Sequence, residues 1–275
     1  IDNFCKLGAS RLAMVDALSR SNQPMRYAST SLVFNGEIYN YNTIKNELKK
    51  DYDFITKSDT EVLLAILQTN SIYLLNKING MFAFAFYDGE HSTITLGRDS
   101  LGKKPLYYLI DNGNLYFSSI QQPLRPLSQE DNECALYEYL NLGFVIDPDT
   151  WDNRITSLKP GEIVTFALDE KIKEVELVKS INLNIEEKDK IELSPLALRN
   201  KVIESVETRI VGHESNVGLS LSGGIDSTII SICLAELGVR ANAYSVSWSD
   251  SDKARYNFDA EAARKIAKVF KHNFE

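Results

Sequence analysis

Between Leu219 and Thr228 the chain reads Leu-Ser-Leu-Ser-Gly-Gly-Ile-Asp-Ser-Thr, an apolar run that passes through paired glycines flanked by hydroxyls into a helix-forming stretch. That order suits a phosphate seat. Gly223 and Gly224 remove the Cβ atoms that would keep phosphate oxygens off backbone N–H groups, and a helix from Ser227 to about Glu236 would present its unpaired first donors and positive dipole end. No Gly-Lys-Ser/Thr follows, so the lysine of a Walker loop is not implied. Asp226 would repel a bare polyphosphate unless a divalent cation lay between them, which points to ATP with Mg2+, Asp226 being the candidate ligand. The competing reading is an ordinary strand-to-helix turn with Asp226 or Ser227 as its N-cap.

The elements around this loop can be read from pattern. Strand Asn216–Ser220, the glycine loop, its helix, strand Ala241–Ser247 and a helix over Asp259–Phe270 give the start of a parallel α/β sheet. Before it, Ser194-Pro195 opens a helix in which Leu198, Val202, Val206 and Ile210 recur at helical spacing. A charged stretch, with Glu186-Glu187-Lys188-Asp189-Lys190 at its centre, predicts a solvated linker. Upstream, short strands dominate from Leu32 to Val178, including Met81–Tyr87, Ser92–Gly97, Pro105–Ile110, Leu115–Ser118 and Gly161–Ala167. Helices are expected over Asn42–Lys49, Asp59–Gln68 and Glu133–Leu142, so this half is α+β. Asn35-Gly36 between Ser31–Phe34 and Ile38-Tyr39 signals a hairpin turn.

Composition narrows the function further. The 275 residues suffice for two domains with real cores, and a formal net charge of -8 without a basic stripe argues against nucleic acid or an anionic membrane. No apolar run is long enough to span a membrane. Cys5, Cys134 and Cys233 form no Cys-x-x-Cys and suggest neither a disulfide framework nor a zinc site, which makes a reducing cytoplasm the expected compartment. His91, His213 and His272 are scattered without metal-ligand spacing. The sequence begins at Ile1 rather than Met and ends just after an apparent helix, so it is expected to be an excerpt.

Leu221–Ser227 resembles the Ser-Gly-Gly-x-Asp-Ser loop of ATP pyrophosphatases. Arg11-Leu12-Ala13-Met14-Val15-Asp16, Gln23-Pro24-Met25, Asn35-Gly36-Glu37-Ile38-Tyr39-Asn40, Ser58-Asp59-Thr60-Glu61 and Gly80-Met81-Phe82-Ala83-Phe84 then follow in the order seen in glutamine-dependent asparagine synthetases. Arg98-Asp99, Gly102 and Pro105-Leu106-Tyr107 continue that resemblance, and Arg98-Asp99 is assigned to scaffold. The resemblance implies an N-terminal-nucleophile hydrolase-like αββα sandwich over residues 1–180, a linker over 181–193, and a Rossmann-like PP-loop domain from 194 to 275, truncated at its C-terminal end. It also implies residue roles. Arg11, with Leu12, Ala13, Met14 and Val15, would bind the α-carboxylate end of L-glutamine; Asn35 and Gly36 would form the oxyanion hole; Glu37 and Asp59 would hold the ammonium. Alone, each of these has an ordinary alternative: a surface arginine, a hairpin turn, an exposed strand residue and a helix cap.

In the second domain the resemblance places Leu221 and Val246 beside adenine and ribose, and Ser222, Gly223, Gly224, Asp226 and Ser227 on the departing pyrophosphate. It implies asparagine synthesis from L-aspartate, ATP and glutamine-derived ammonia, in a soluble homodimer. The runner-up is an amidotransferase or adenylating cyclase acting on another carboxylate. Two departures stand out. The family nucleophile is an N-terminal cysteine followed by glycine; Cys5 precedes Lys6-Leu7 and reads as a packed small residue, so the nucleophile is expected upstream or absent. Ser118-Ser119-Ile120-Gln121 stands where relatives carry Ser-Glu-x-Lys, which bears on coupling between the sites.

Overall fold

The computed structural model describes residues 5–11, 15–16, 18–169, 174–183, 194–210, 216–249 and 257–275. The chain divides into two compact units, Ile1–Glu187 and Lys188–Glu275. In chain order the first contains β1 (Met25–Tyr27), β2 (Thr30–Ile38), α1 (Tyr41–Leu48), α2 (Asp59–Gln68), β3 (Gly80–Asp88), β4 (Thr93–Arg98), β5 (Tyr107–Asp111) and β6 (Asn114–Ser118). It continues with α3 (Glu133–Leu142), β7 (Thr156–Ser157), β8 (Glu162–Asp169) and β9 (Glu174–Asn182).

Six strands form an antiparallel sheet in the order β1-β2-β3-β4-β8-β9, and three form a second in the order β6-β5-β7. Strand β3 shows why the layers stack as they do. Its period of two sends Phe82, Phe84 and Phe86 to one face, where they meet Leu32, Phe34, Ile38 and the buried residues of α1 and α2. The intervening Ala83 and Ala85 face the other way, into a core shared with Leu96, Val164, Leu106, Tyr108 and Phe117. The result is a helix layer, a large sheet and a small sheet. Helix α3 buries only Ala135, so it does not supply a packed fourth layer of the expected αββα sandwich.

Helix α2 is buried from Asp59 to Leu67, on all sides rather than along one stripe. Its start follows the sequence signal, with Ser58 Oγ accepting from Thr60 N–H at 3.2 Å as N-cap. The expected hairpin at Asn35-Gly36 is not formed. Both residues lie inside the nine-residue strand β2, in unbroken register with β3 through Asn35↔Ala83 and Gly36↔Phe82. Long antiparallel pairing has overridden the local turn preference of Asn-Gly.

Strand β9 extends to Asn182, and Leu183 N–H donates to Gly161 O at 2.7 Å, so the expected linker begins inside a paired strand; residues 184–193 lie outside those described. The second unit comprises α4 (Pro195–Ile210), β10 (Gly218–Ser220), α5 (Ile225–Glu236), β11 (Asn242–Tyr244), α6 (Phe258–Val269) and β12 (Asn273–Phe274). Its sheet, β10-β11-β12, is parallel, over a core that includes Leu219, Leu221, Leu234, Ala243 and Ala263. His272 serves this core as a structural pin: its Nδ1 accepts from Ala241 N–H at 3.2 Å and its Nε2 bonds Ser231 O at 3.1 Å.

Candidate functional site

In the first unit, a cavity of about 420 Å³ is lined by Arg11, Val15, Asn35, Gly36, Glu37 and Asp59, together with Gln23, Lys104, Ser118 and Ser119. All the described residues expected to bind glutamine therefore meet at one place. Leu12, Ala13 and Met14 lie outside the described residues.

The chemistry of this cavity follows from the alternation of an antiparallel ladder, in which successive N–H groups point to opposite edges of the strand. Tyr39 N–H donates to Asn79 O at 2.8 Å, toward β3, and this puts the N–H groups of Phe34, Gly36 and Ile38 on the opposite edge. Strand β1 pairs only with Thr30–Leu32 and has ended there. Side chains take over: Gln23 Oε1 accepts from Phe34 N–H at 2.7 Å, and Asp59 Oδ2 accepts from Ile38 N–H at 3.0 Å. Between these two, the N–H of Gly36 is left facing the cavity edge. The neighbouring Asn35 is exposed, and among the described residues its side-chain amide has no hydrogen-bond partner. A backbone donor and an amide donor side by side are what a tetrahedral oxyanion requires.

Electrostatics divide the pocket. Arg11 supplies a cation at one wall, its Nη2 donating to Val15 O at 2.6 Å and Asp16 O at 2.8 Å; among the described residues its other nitrogens have no hydrogen-bond partner, which suits them to a carboxylate. Glu37 and Asp59 supply two acceptors at another. Burial pushes the Asp59 carboxyl above the usual carboxylate range, with the nearby Glu37 charge adding to the rise, while the N–H groups of Ile38 and Thr60 oppose it. The loop before α2 is fixed by the buried Glu61: Oε1 accepts from Ile55 N–H at 2.7 Å, and Oε2 from Thr56 N–H and Thr56 Oγ1, both at 2.6 Å.

Sequence reasoning gave no role to Gln23, Glu61 or Lys104. Glu61 carried a signal, because Ser-x-x-Glu at a helix start is a capping box. Its carboxylate reaches beyond the cap to residues 55 and 56, and Thr56 Oγ1 accepts from Ser58 N–H at 3.1 Å instead. Lys104 is set by its neighbours. Asp99 accepts from the N–H groups of Leu101, Lys103 and Lys104 at 3.1, 3.1 and 3.2 Å, and Arg98 Nε donates to Lys104 O at 2.9 Å. Cys5 is 6% exposed, as a packed residue would be.

In the second unit the loop after β10 is knit by its own hydroxyls. Ser222 Oγ lies 3.1 Å from Ser227 Oγ and accepts from Gly224 N–H at 3.3 Å, while Thr228 Oγ1 donates to Gly224 O at 2.7 Å. Helix α5 starts two residues earlier than expected, with Gly224 as an N-cap that has no side chain to occupy the first-turn donors. Asp226 and Ser227 thus sit in the first turn, Asp226 exposed. Gly223 has φ +80, and a Cβ there would lie 2.8 Å from both Ala262 Cβ and Asp259 O, so the loop is seated against the start of α6. Leu221 is a core residue whose N–H donates to Tyr244 O at 2.9 Å. Val246 is not on the strand as expected: β11 ends at Tyr244, and Val246 is 91% exposed beyond it.

Comparison with known proteins adds an independent result. Residues 1–175 match the family model "Glutamine amidotransferase domain", and residues 197–274 match "Asparagine synthase". The chain is similar to asparagine synthetase [glutamine-hydrolyzing] 1 of Bacillus subtilis, at 33% identity over 98% of this chain and 43% of that protein. It is also similar to asparagine synthetase B [glutamine-hydrolyzing] of Escherichia coli, at 32% identity over 85% of this chain and 38% of that one. The chain thus spans less than half the length of these relatives. Among solved structures, the B. subtilis glutamine phosphoribosylpyrophosphate amidotransferase complexed with ADP and GMP matches with a TM-score of 0.39 at 14% identity, over 93% of this chain and 48% of that one.

Proposed function

The chain belongs to the asparagine synthetase family, and we propose that its first unit is an N-terminal-nucleophile hydrolase-like amidotransferase domain and that the protein makes asparagine from aspartate with glutamine as nitrogen donor. One observation supports this reading most: Arg11, Asn35, Glu37 and Asp59 surround a cavity into whose edge the N–H of Gly36 is left facing. Glutamine would lie with its α-carboxylate on Arg11 and its ammonium between Glu37 and Asp59, which sends its side-chain amide toward Asn35 and Gly36. Attack on that amide by the family's cysteine, with its own α-amino group as base, places negative charge on the carbonyl oxygen. The Gly36 N–H and Asn35 amide would take that charge without rearranging, because β2 already fixes them.

The glutaminase would extend through β9 to about Leu183, and the start of the ATP-binding domain would occupy 194–275. In that second domain we assign a PP-loop fold, with Ser222, Gly223, Gly224 and Ser227 receiving the pyrophosphate part of ATP. Leu221 and Val246 border the nucleoside, Leu221 through its backbone because its side chain is buried. The uncapped first turn of α5 suits an anion, and the exposed Asp226 carboxylate in that turn suits Mg2+ shared with phosphates. When bound, Mg2+ would neutralise phosphate charge there. Ammonia released in the first site would reach the aspartyl adenylate within the protein, sheltered from protonation by water. We assign the protein to the cytoplasm as a homodimer.

The full-length protein supplied with glutamine, aspartate and Mg-ATP is expected to form asparagine, AMP and pyrophosphate in equal amounts, measured chromatographically. Formation of neither asparagine nor AMP would overturn the assignment. Asn35→Ala is expected to lower kcat for glutamine hydrolysis by about 10²–10³-fold, with KM for glutamine within threefold.

A further inference from the structure

An α-amino acid carries its carboxylate and ammonium on one carbon, so the groups that receive them must keep a fixed, short separation. A misplacement of about 1 Å can cost about 10²-fold in rate. Asp59 is carried by α2 and Glu37 by β2, both parts of the packed core. Arg11 lies in neither element, and something must hold its segment against them.

Asp16 does so from both ends. Its carbonyl oxygen accepts Arg11 Nη2 at 2.8 Å. Its carboxylate, with the side chain only 3% exposed, accepts from Lys57 N–H at 2.9 Å through Oδ2. The same Oδ2 takes Arg20 Nε at 3.1 Å, and Oδ1 takes Leu18 N–H at 3.4 Å. Lys57 immediately precedes the Ser58 cap and Asp59, in the loop that Glu61 fixes through Ile55 and Thr56. Asp16 also has φ +47, a left-handed conformation that a non-glycine residue keeps only when its surroundings impose it. Hydrogen bonds thus run from Glu61 through the 55–57 loop to Asp16 and on to Arg11.

We propose that Asp16 is a positioning residue, a latch that sets the distance between the Arg11 guanidinium and the Asp59 carboxylate to match the head group of glutamine. It touches no substrate itself, and the inference rests on reading the cavity as a glutamine site.

The test compares L-glutamine with its α-carboxamide, which keeps the ammonium and side chain but lacks the carboxylate, by calorimetric binding to the full-length protein. The wild type is expected to prefer glutamine. Asp16→Asn keeps one acceptor but turns an amide toward the other donors; it should weaken glutamine about tenfold while changing the carboxamide by less than twofold. Loss of general stability would weaken both alike. Arg20→Ala, which removes only an exposed partner, should change both by less than twofold. Should D16N prove insoluble, Thr56→Val loosens the same loop from the Glu61 side and is expected to cost about threefold in the preference. Equal weakening of both ligands by D16N, or none, overturns the latch. A wild type that binds neither ligand overturns the glutamine reading itself, a separate and recognisable result.

Discussion

Gly36 carries two constraints at once. A Cβ at this position would lie 2.0 Å from Met81 O and 2.7 Å from Phe82 Cα, so β2 and β3 can approach only if residue 36 is glycine. Gly36→Ala is therefore expected to destabilise by about 3 kcal/mol or more in urea unfolding, besides disturbing the oxyanion donor. Asp59 in the pocket and Asp16 behind Arg11 respond to pH with opposite signs. Asp16 is held at about 2, below its ordinary 3.8, chiefly by the Lys57 N–H, so its contribution to stability is present above 3.8 and is lost as pH falls toward 2. Asp59 is raised by burial, so its contribution is full below the ordinary value and is lost as pH rises through the raised one. The stability difference between wild type and Asp16→Asn, followed by urea unfolding across pH, should be constant near neutrality and close as pH falls from 4 to 2.

At the scale of elements, α2 and α3 run over the residues expected for them, and Ser58 and Asn132 close their starts with side-chain caps. Strand cores were legible too, Met81–Tyr87 above all, through its alternation of aromatics and alanines. Local chemistry misled where pairing partners lay far along the chain. Asn35-Gly36 has the composition of a turn, and only β3, some 45 residues away, makes it strand. The candidate site was legible as a set of residue types, since motifs state which groups are needed. Its supporting bonds were not: that Gln23 would replace β1 at Phe34, or Glu61 bind residues 55 and 56, depends on where a side chain ends in space. Glu61→Ala leaves two N–H groups and a hydroxyl without their acceptor, and a loss of about 3 kcal/mol is expected in guanidinium unfolding.

For the whole molecule, the two units differ in what the sequence disclosed. The first joins local hairpins through distant antiparallel pairs, β2 with β3, β4 with β8 and β5 with β7, whose order could not be read from pattern, while the second repeats strand and helix in a parallel order that pattern does reveal. The net charge of -8 favours solubility, yet α3 and the residues after it expose Leu136, Tyr137, Leu140 and Phe144. Leu140 is 74% exposed, so Leu140→Glu should raise the concentration at which the chain begins to scatter light while leaving its melting temperature within about a degree or two.

Strand β2 also bears on how the molecule ages. An asparagine followed by glycine is chemically fragile, because the glycine nitrogen can curl back onto the asparagine side-chain carbonyl and expel ammonia, closing a cyclic imide that water then opens to an aspartate or a kinked isomer. That attack needs a bent, mobile backbone. With Asn35 and Gly36 held straight between Ala83 and Phe82, the attack geometry is withheld for as long as the sheet stays closed. The pairing that positions the donors is thus also their preservative, and each excursion that opens β2 from β3 puts the Asn35 amide itself at risk.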